Sequence, residues 1–173
     1  MLFRSAVEAA EEFGNRIYLE AWKRGWSYAE RKVVMGDGAE WIWNLADSHF
    51  PGAIQIVDIF HAREHLWGVA RKLYPNEEVL QRRWMMIHQD LLDKCKIKEL
   101  VAALRAIPTT SLELAEKLVT EANYFIRNAK RMRYPKFRRI NLFTGTGVIE
   151  AGCKTVVWRP LQTIGHVLDS TRR

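Results

Sequence analysis

The sequence predicts an α/β chain in which helices far outnumber strands. Two short apolar runs, each followed by an aspartate, flank one helical segment between residues 32 and 58. A longer stretch, residues 62–133, has apolar residues at helical spacing, and charged residues lie between them. These patterns indicate a small sheet near the start of the chain, followed by an all-helical segment.

The first elements are predicted from spacing and from turn residues. Apolar and aromatic residues at helical intervals predict an amphipathic helix over residues 6–30, interrupted at Gly25. A strand at residues 32–35 runs into the tight turn Gly36-Asp37-Gly38, and a helix at 40–50 is followed by a second strand at 53–58. Because so short a connection joins the two strands, we expect them to be parallel neighbours.

The helical segment is expected to consist of short helices with breaks near Pro75, Lys96 and Pro108. Tyr134 and Pro135 end it, and residues 136–146 are predicted to form a basic loop. Residues 148–154 are typical of the start of another helix, whereas residues 158–173 have only weak periodicity.

Composition narrows the range of partners. The 173 residues carry 27 Lys and Arg against 20 Asp and Glu, a net charge of +7, which favours nucleic acid or an anionic membrane surface as partner. No apolar run reaches the ~20 residues that cross a bilayer, and the first residues do not resemble a signal peptide, so a cytoplasmic protein is expected. Cys95 and Cys153 are expected to be reduced and buried. Four tryptophans at helical positions are expected in the core: Trp41, Trp43, Trp67 and Trp84.

A metal site is one interpretation of two carboxylates. Asp37 follows a strand and opens a glycine turn, a position where α/β sheets present functional side chains. Mg²⁺ binds hard oxygen ligands, commonly one or two carboxylates with water and phosphate, and Glu150 is the candidate second carboxylate. Alternatively, Asp37 is an ordinary turn residue and Glu150 a carboxylate near a helix amino end.

The histidines at 61 and 65 have three interpretations. His61-Ala62-Arg63-Glu64-His65 matches H-x-x-E-H, in which two histidines bind zinc and the glutamate is the general base of a protease. No third ligand with a supporting context follows, so the histidines can simply flank the start of a helix. In a third interpretation, Asp58 and His61 form a D-x-x-H unit, and His61 orients a carboxylate or contacts a scissile phosphate.

A basic run at residues 127–139 is the candidate DNA-facing surface. Arginine side chains bind phosphate oxygens in a fork, and the interleaved rings of Tyr134 and Phe137 could stack on unpaired bases. Charge runs are also common on solvated helix faces, so that alternative stays open. The candidate DNA-binding residues are Arg131, Arg133, Lys136, Arg138 and Arg139.

Five segments together resemble one protein family. They are GDGAEWIW (36–43), FPGA (50–53), IVDIFHAREHLW (56–67), NAKRMRYP (128–135) and GTGVIEAGCK (145–154). In this order they are similar to the ISKra-type insertion-sequence transposases, relatives of the Mutator-like DDE enzymes.

The resemblance implies a partial RNase H-like core with an all-helical insertion between the second aspartate and the glutamate of a DDE triad. Asp37 and Glu150 would be those two metal ligands, Asp58 and His61 the D-x-x-H pair, and Lys154 a further DNA-binding residue. The cofactor would be Mg²⁺ or Mn²⁺ in a two-metal site. One domain would then comprise a partial core (1–61), the insertion (62–135) and a returning segment (136–173).

The family's first aspartate precedes anything that matches here, and residues 158–163 depart from its pattern. The resemblance therefore implies a chain shortened at both ends, lacking the first metal ligand, inactive alone and left with an exposed sheet edge that favours association. The expected partners are DNA at element ends and target, with a second copy of the chain possible, and the expected location is the nucleoid. No membrane or small-molecule substrate is expected. The alternatives are a DNA-binding remnant without catalysis and the zinc protease.

Overall fold

The computed structural model describes residues 9–147, in which seven α-helices and two β-strands alternate at first and then give way to helices alone. In chain order they are α1 (Ala10–Lys23), β1 (Val33–Gly36), α2 (Glu40–His49), β2 (Ile54–Val57), α3 (Ile59–Leu73), α4 (Glu78–Asp93), α5 (Ile97–Arg105), α6 (Leu112–Asn128) and α7 (Tyr134–Arg139).

The two strands pair in parallel, as the sequence predicts. Val33 lies opposite Ile54 at one end of the register, and Gly36 lies opposite Val57 at the other. The backbone N–H of Asp58 donates to the Gly36 carbonyl at 2.8 Å, which extends the pairing by one bond. The carboxyl ends of β1 and β2 therefore meet at the same edge of the sheet. The coarse α/β class is confirmed, with helix as the main component.

The first helix ends near Gly25, where the sequence predicts an interruption, and it does not resume after it. α1 stops at Lys23, and the Gly25 N–H donates to the Trp22 carbonyl at 3.0 Å. Trp26–Tyr28 then forms a separate 3-10 turn, which brings the Trp26 ring to within 4.8 Å of the Phe50 ring, between centroids. The helix is shorter than predicted because its last aromatic residues belong to this turn.

Breaks between α3, α4, α5 and α6 fall near the predicted positions. Asn76 and Cys95 adopt left-handed backbone angles in the first two connections. α3 contacts both α4 and α6, and α5 contacts the same two helices. α3 begins at Ile59, earlier than predicted, because the Asp58 side chain accepts the Phe60 N–H and caps the helix.

Part of the predicted basic loop is helical. Pro135 does not stop a helix but lies in the first turn of α7, where its missing N–H costs no hydrogen bond. Tyr134 and Phe137 anchor this helix because both are buried. The prediction that these rings could stack on DNA bases is therefore wrong. Tyr134 and Phe137 lie three residues apart, on the face of α7 that packs into the core.

A single hydrophobic cluster joins the sheet to the helices. Ile56 and Val57 of β2 pack in it with Leu66 of α3 and Phe125 of α6. The predicted helical insertion therefore shares its core with the sheet.

The four tryptophans have different environments. Trp43 and Trp84 are buried, and Trp67 packs against the core while remaining partly accessible. Trp41 contradicts the prediction because 47% of it is exposed, and its main aromatic contact is an edge-on approach to Phe13.

Two predictions from composition can be compared with residues 9–147. Cys95 is a free thiol that is half-buried, rather than fully buried as expected, and Cys153 lies outside the described residues. None of the helices in this range is both long enough and apolar enough to cross a bilayer.

Candidate functional site

Asp37 lies immediately after β1, with its side chain exposed. One of its carboxylate oxygens accepts the backbone N–H of Ala39 at 2.8 Å, which shapes the turn into α2. Its backbone carbonyl accepts the Tyr124 hydroxyl proton from α6 at 2.7 Å. The turn is thus fixed through its backbone, while the carboxylate stays at the surface.

Asn128 of α6 fixes the same turn from a second point. Its amide donates to the Gly38 carbonyl at 3.1 Å, and its amide oxygen accepts the Trp43 indole N–H at 3.0 Å. A single side chain thus connects β1, α2 and α6. Neither Tyr124 nor Asn128 was predicted as a site residue, although polar groups at 121, 124 and 128 share the otherwise apolar face of one predicted helix.

An open cleft of about 570 Å³ lies beside this turn. Its lining includes carboxylates and cations, together with the Tyr124 ring. The charged or titratable side chains are Asp37, Glu40, Asp47, His61, His65, Arg127 and Arg131. The structure therefore brings two of the predicted catalytic residues, Asp37 and His61, to one concave surface.

His65 is more firmly held in the cleft than His61. Its Nδ1 atom lies 2.6 Å from a carboxylate oxygen of Glu121, and its ring stacks on Tyr124 with 3.7 Å between centroids. The Nδ1 atom of His61 instead lies 3.1 Å from Glu64, and both of these side chains are largely exposed. His65 has the more fixed orientation, a distinction that sequence spacing could not make.

Glu121 is a buried carboxylate, 1% exposed, with a basic side chain on each side. Lys117 lies 2.5 Å from one of its oxygens and His65 is bonded to the other. Burial acts to raise the pKa of Glu121, but the hydrogen bonds from His65 and Lys117 outweigh it and hold the pKa below its usual value. Glu121 therefore serves as a fixed negative charge behind His65.

Asp58 supports the fold at the end of β2. It is 1% exposed, one of its oxygens accepts the Phe60 N–H, and the other accepts the N–H and hydroxyl of Thr146 at 2.8 and 2.5 Å. Asp58 does not line the cleft, and His61 is paired with Glu64 rather than with Asp58. Its contribution to the site is to bind the returning chain at Thr146, four residues before Glu150.

Arg131 is the most constrained of the predicted DNA-binding residues. Its guanidinium stacks over Trp43 at 4.6 Å, and its Nε donates to Gln55 at 2.7 Å. Gln55 in turn donates to Asp47 at 2.6 Å, and burial lowers the pKa of Arg131 from its usual value. The other four described candidates are exposed: Arg133, Lys136, Arg138 and Arg139. Glu150 and Lys154 lie outside the described residues.

The cleft offers both oxygen and nitrogen donor atoms to a metal ion. Mg²⁺ is commonly held by one or two carboxylates with water and phosphate, and Asp37 and Glu40 both offer oxygens to the cleft. A catalytic zinc needs three protein ligands. His61 and His65 share the cleft, and the contact of Glu121 with His65 Nδ1 is one that metal-bound histidines also have. Residues 9–147 contain no group of three His, Cys, Asp or Glu that could hold a metal ion of any kind.

Comparison of the chain with protein-family models, with curated proteins and with solved structures finds no match.

Proposed function

We propose that this chain is part of a DDE-type insertion-sequence transposase and that it contributes Asp37 to a Mg²⁺- or Mn²⁺-dependent site for DNA strand cleavage and transfer. The observation that carries the proposal is the position of Asp37. Its exposed carboxylate lies at the carboxyl end of β1, in a cleft that also contains Arg127 and Arg131. Metal-dependent phosphodiester chemistry uses carboxylates to hold the metal ion and cations to contact the phosphates.

The chain returns to the sheet shortly before Glu150, the second carboxylate of the proposed site. Asp58 holds Thr146 at the carboxyl end of β2, which pairs with β1, the strand that directly precedes Asp37. Glu150 follows Thr146 by four residues and lies outside the described residues, so its place in the proposed site comes from the family resemblance. The RNase H-like arrangement of the catalytic core is part of this proposal.

In the proposed reaction, Asp37 and Glu150 would hold the divalent cation, and the cation would supply the Lewis acid that such strand cleavage needs. Arg127 and Arg131 contact the flanking phosphates and fix the strand in the cleft. His61 lies on the same surface and contacts the scissile phosphate. The tethers from Tyr124 and Asn128 keep the Asp37 turn rigid.

Metal binding tests the proposal without requiring strand transfer. We expect Mn²⁺ to bind the full chain and Asp37→Asn to weaken this binding at least about tenfold. Even the loss of a residue that only supports a metal ligand commonly lowers metal affinity by this factor. The measurement is a titration of the chain with Mn²⁺ in which electron paramagnetic resonance reports the fraction of bound ion. Asp47→Asn is the matched control, because it removes one charge from the same cleft. Equal losses in both variants, or none in Asp37→Asn, would contradict the proposal.

A second candidate is a DNA-binding protein without catalysis. Its support is the exposed set Arg133, Lys136, Arg138 and Arg139 on and beside α7. Reversing Arg131, Arg133, Arg138 and Arg139 to Glu should abolish salt-dependent DNA binding under either function. If the chain binds DNA but no divalent cation, the second candidate replaces the first.

The zinc alternative has its own test. A protease of the H-x-x-E-H type requires stoichiometric zinc that is lost in His61→Ala, and metal analysis of the purified chain measures this directly. Under the transposase proposal, by contrast, the partners are DNA at element ends and target, with association between copies of the chain, in the nucleoid of the cytoplasm.

A further inference from the structure

We propose that a band of cations leads from the Asp37 cleft across α7 to the start of α5 and binds the phosphate backbone of duplex DNA. The proposed band rests on the proposed function, because it would contact the same DNA where that DNA leaves the cleft. The basic band consists of Lys96, Lys98, Lys130, Arg131, Arg133 and Lys136. Two of these, Lys96 and Lys98, lie outside the basic run that the sequence suggested.

Shared lining residues make the band continuous. Arg131 lines both the Asp37 cleft and a second groove of about 370 Å³, which runs between β2 and α7. Lys130 and Arg133 line that groove and also a third one of about 470 Å³, at the start of α5. The three concave surfaces therefore adjoin one another.

The charge along the band is strongly positive. The second groove is lined by four cations and by no carboxylate. In the third groove, Glu99 is the one acidic lining residue, and it forms an exposed ion pair with Lys96 at 3.1 Å. Exposed pairs of this kind contribute little, so they yield readily to a phosphate.

Lys96 and Lys98 extend the band onto the helical segment. The left-handed turn at Cys95 separates α4 from α5, and the Lys96 N–H donates to the Leu91 carbonyl at 2.8 Å. This bond fixes the backbone from which both lysine side chains project. A fixed backbone with exposed cations suits contacts that position DNA without reading its sequence.

The aromatic residues indicate duplex rather than single-stranded DNA. Proteins that bind single strands stack bases on accessible rings. Phe137 lines the second groove but is only 6% exposed, and Tyr134 is fully buried. The band therefore offers charge along a groove but no accessible stacking platform.

The test compares two double variants of the full chain by the salt dependence of duplex binding. Lys96→Ala with Lys98→Ala should reduce the slope of log K against log salt by about 1 to 2, since each phosphate contact contributes about 0.9. The affinity at fixed salt should fall about tenfold. Arg71→Ala with Arg105→Ala makes the same change in net charge at exposed positions that line none of the three grooves, and should leave the slope unchanged. Unchanged thermal unfolding confirms that both variants fold.

Several outcomes would contradict the proposal that the basic band binds duplex DNA. An unaltered slope in the lysine variant, while the wild-type chain still binds duplex with salt dependence, would remove the band but leave the proposed function intact. Equal reductions in both double variants would show a general effect of charge and would also overturn it. Tighter binding of a single strand of equal length would exclude the duplex. Absence of salt-dependent binding by the wild-type chain would instead refute the proposed function itself.

Discussion

Two aspartates at the ends of adjacent parallel strands differ in almost every physical respect. Asp37 is exposed and uses its carboxylate for one hydrogen bond within its own turn. Asp58 is 1% exposed and satisfies both oxygens with the N–H of Phe60 and two donors of Thr146. At the scale of single residues, Asp37 has the freedom that a ligand needs, and Asp58 has the partners of a structural cap.

Asp58→Asn should lower the free energy of unfolding by about 2 kcal/mol, because the new amide group cannot accept the second of its two backbone N–H bonds. Asp37→Asn, which keeps an oxygen for its single exposed bond, should change stability by less than about 0.5 kcal/mol. Urea unfolding of both variants measures the difference. Similar losses in the two variants would contradict these separate roles.

At the scale of elements, the turn between β1 and α2 depends on α6. Tyr124 and Asn128 bind the carbonyls of Asp37 and Gly38, two consecutive turn residues. Gly38 has φ +101, and a Cβ atom there would lie 2.6 Å from the Tyr124 ring. The ring can approach the turn only because residue 38 has no side chain.

Gly38→Ala should therefore destabilise the protein by about 3 kcal/mol, since it combines backbone strain with displacement of the Tyr124 ring. Gly52→Ala is the matched control. Gly52 also has a positive φ, +79, but no atom lies within 4 Å of the place that its Cβ would occupy. Strain alone should cost about 1 kcal/mol there. Thermal unfolding compares the two, and equal losses would mean that the ring contact is unimportant.

At the scale of the whole molecule, two buried titratable groups make stability depend on pH. Burial lowers the pKa of His88 below its usual 6.5, although its hydrogen bond to the Trp84 carbonyl acts in the opposite direction. His88 therefore takes up a proton at a higher pH in the unfolded chain than in the folded chain, which destabilises the fold as the pH falls. Glu121 has a folded pKa below its usual 4.5, so its stabilising contribution is present above that value.

The free energy of unfolding should accordingly fall in two stages as the solution is acidified. The first begins as the pH drops through 6.5, where His88 takes up a proton in the unfolded chain, and the second begins near 4.5, where Glu121 takes up a proton in the unfolded chain. Urea unfolding across this range measures both. His88→Gln should remove the first stage and keep the second, and a variant that retains both stages would contradict the assignment to His88.

Local patterns in the sequence determined most of the elements. Short apolar runs, helical spacing, Gly25 and the breaks between α3 and α6 predicted the parallel strand pair and the helical segment, because these signals arise within a few residues of the backbone. The position of Asp37 at a strand end followed from the same reasoning. Its metal-binding role and that of Glu150 stay predictions.

Tertiary structure alone decided which polar side chains meet. Asp37 and Tyr124 are 87 residues apart, and Asp58 and Thr146 are 88 apart, so no local spacing could pair them. Packing likewise buried Tyr134 and Phe137, which the basic run had suggested as DNA contacts. Burial and long-range hydrogen bonds depend on the complete packed core, whereas the sequence by itself determined the elements from which that core is built.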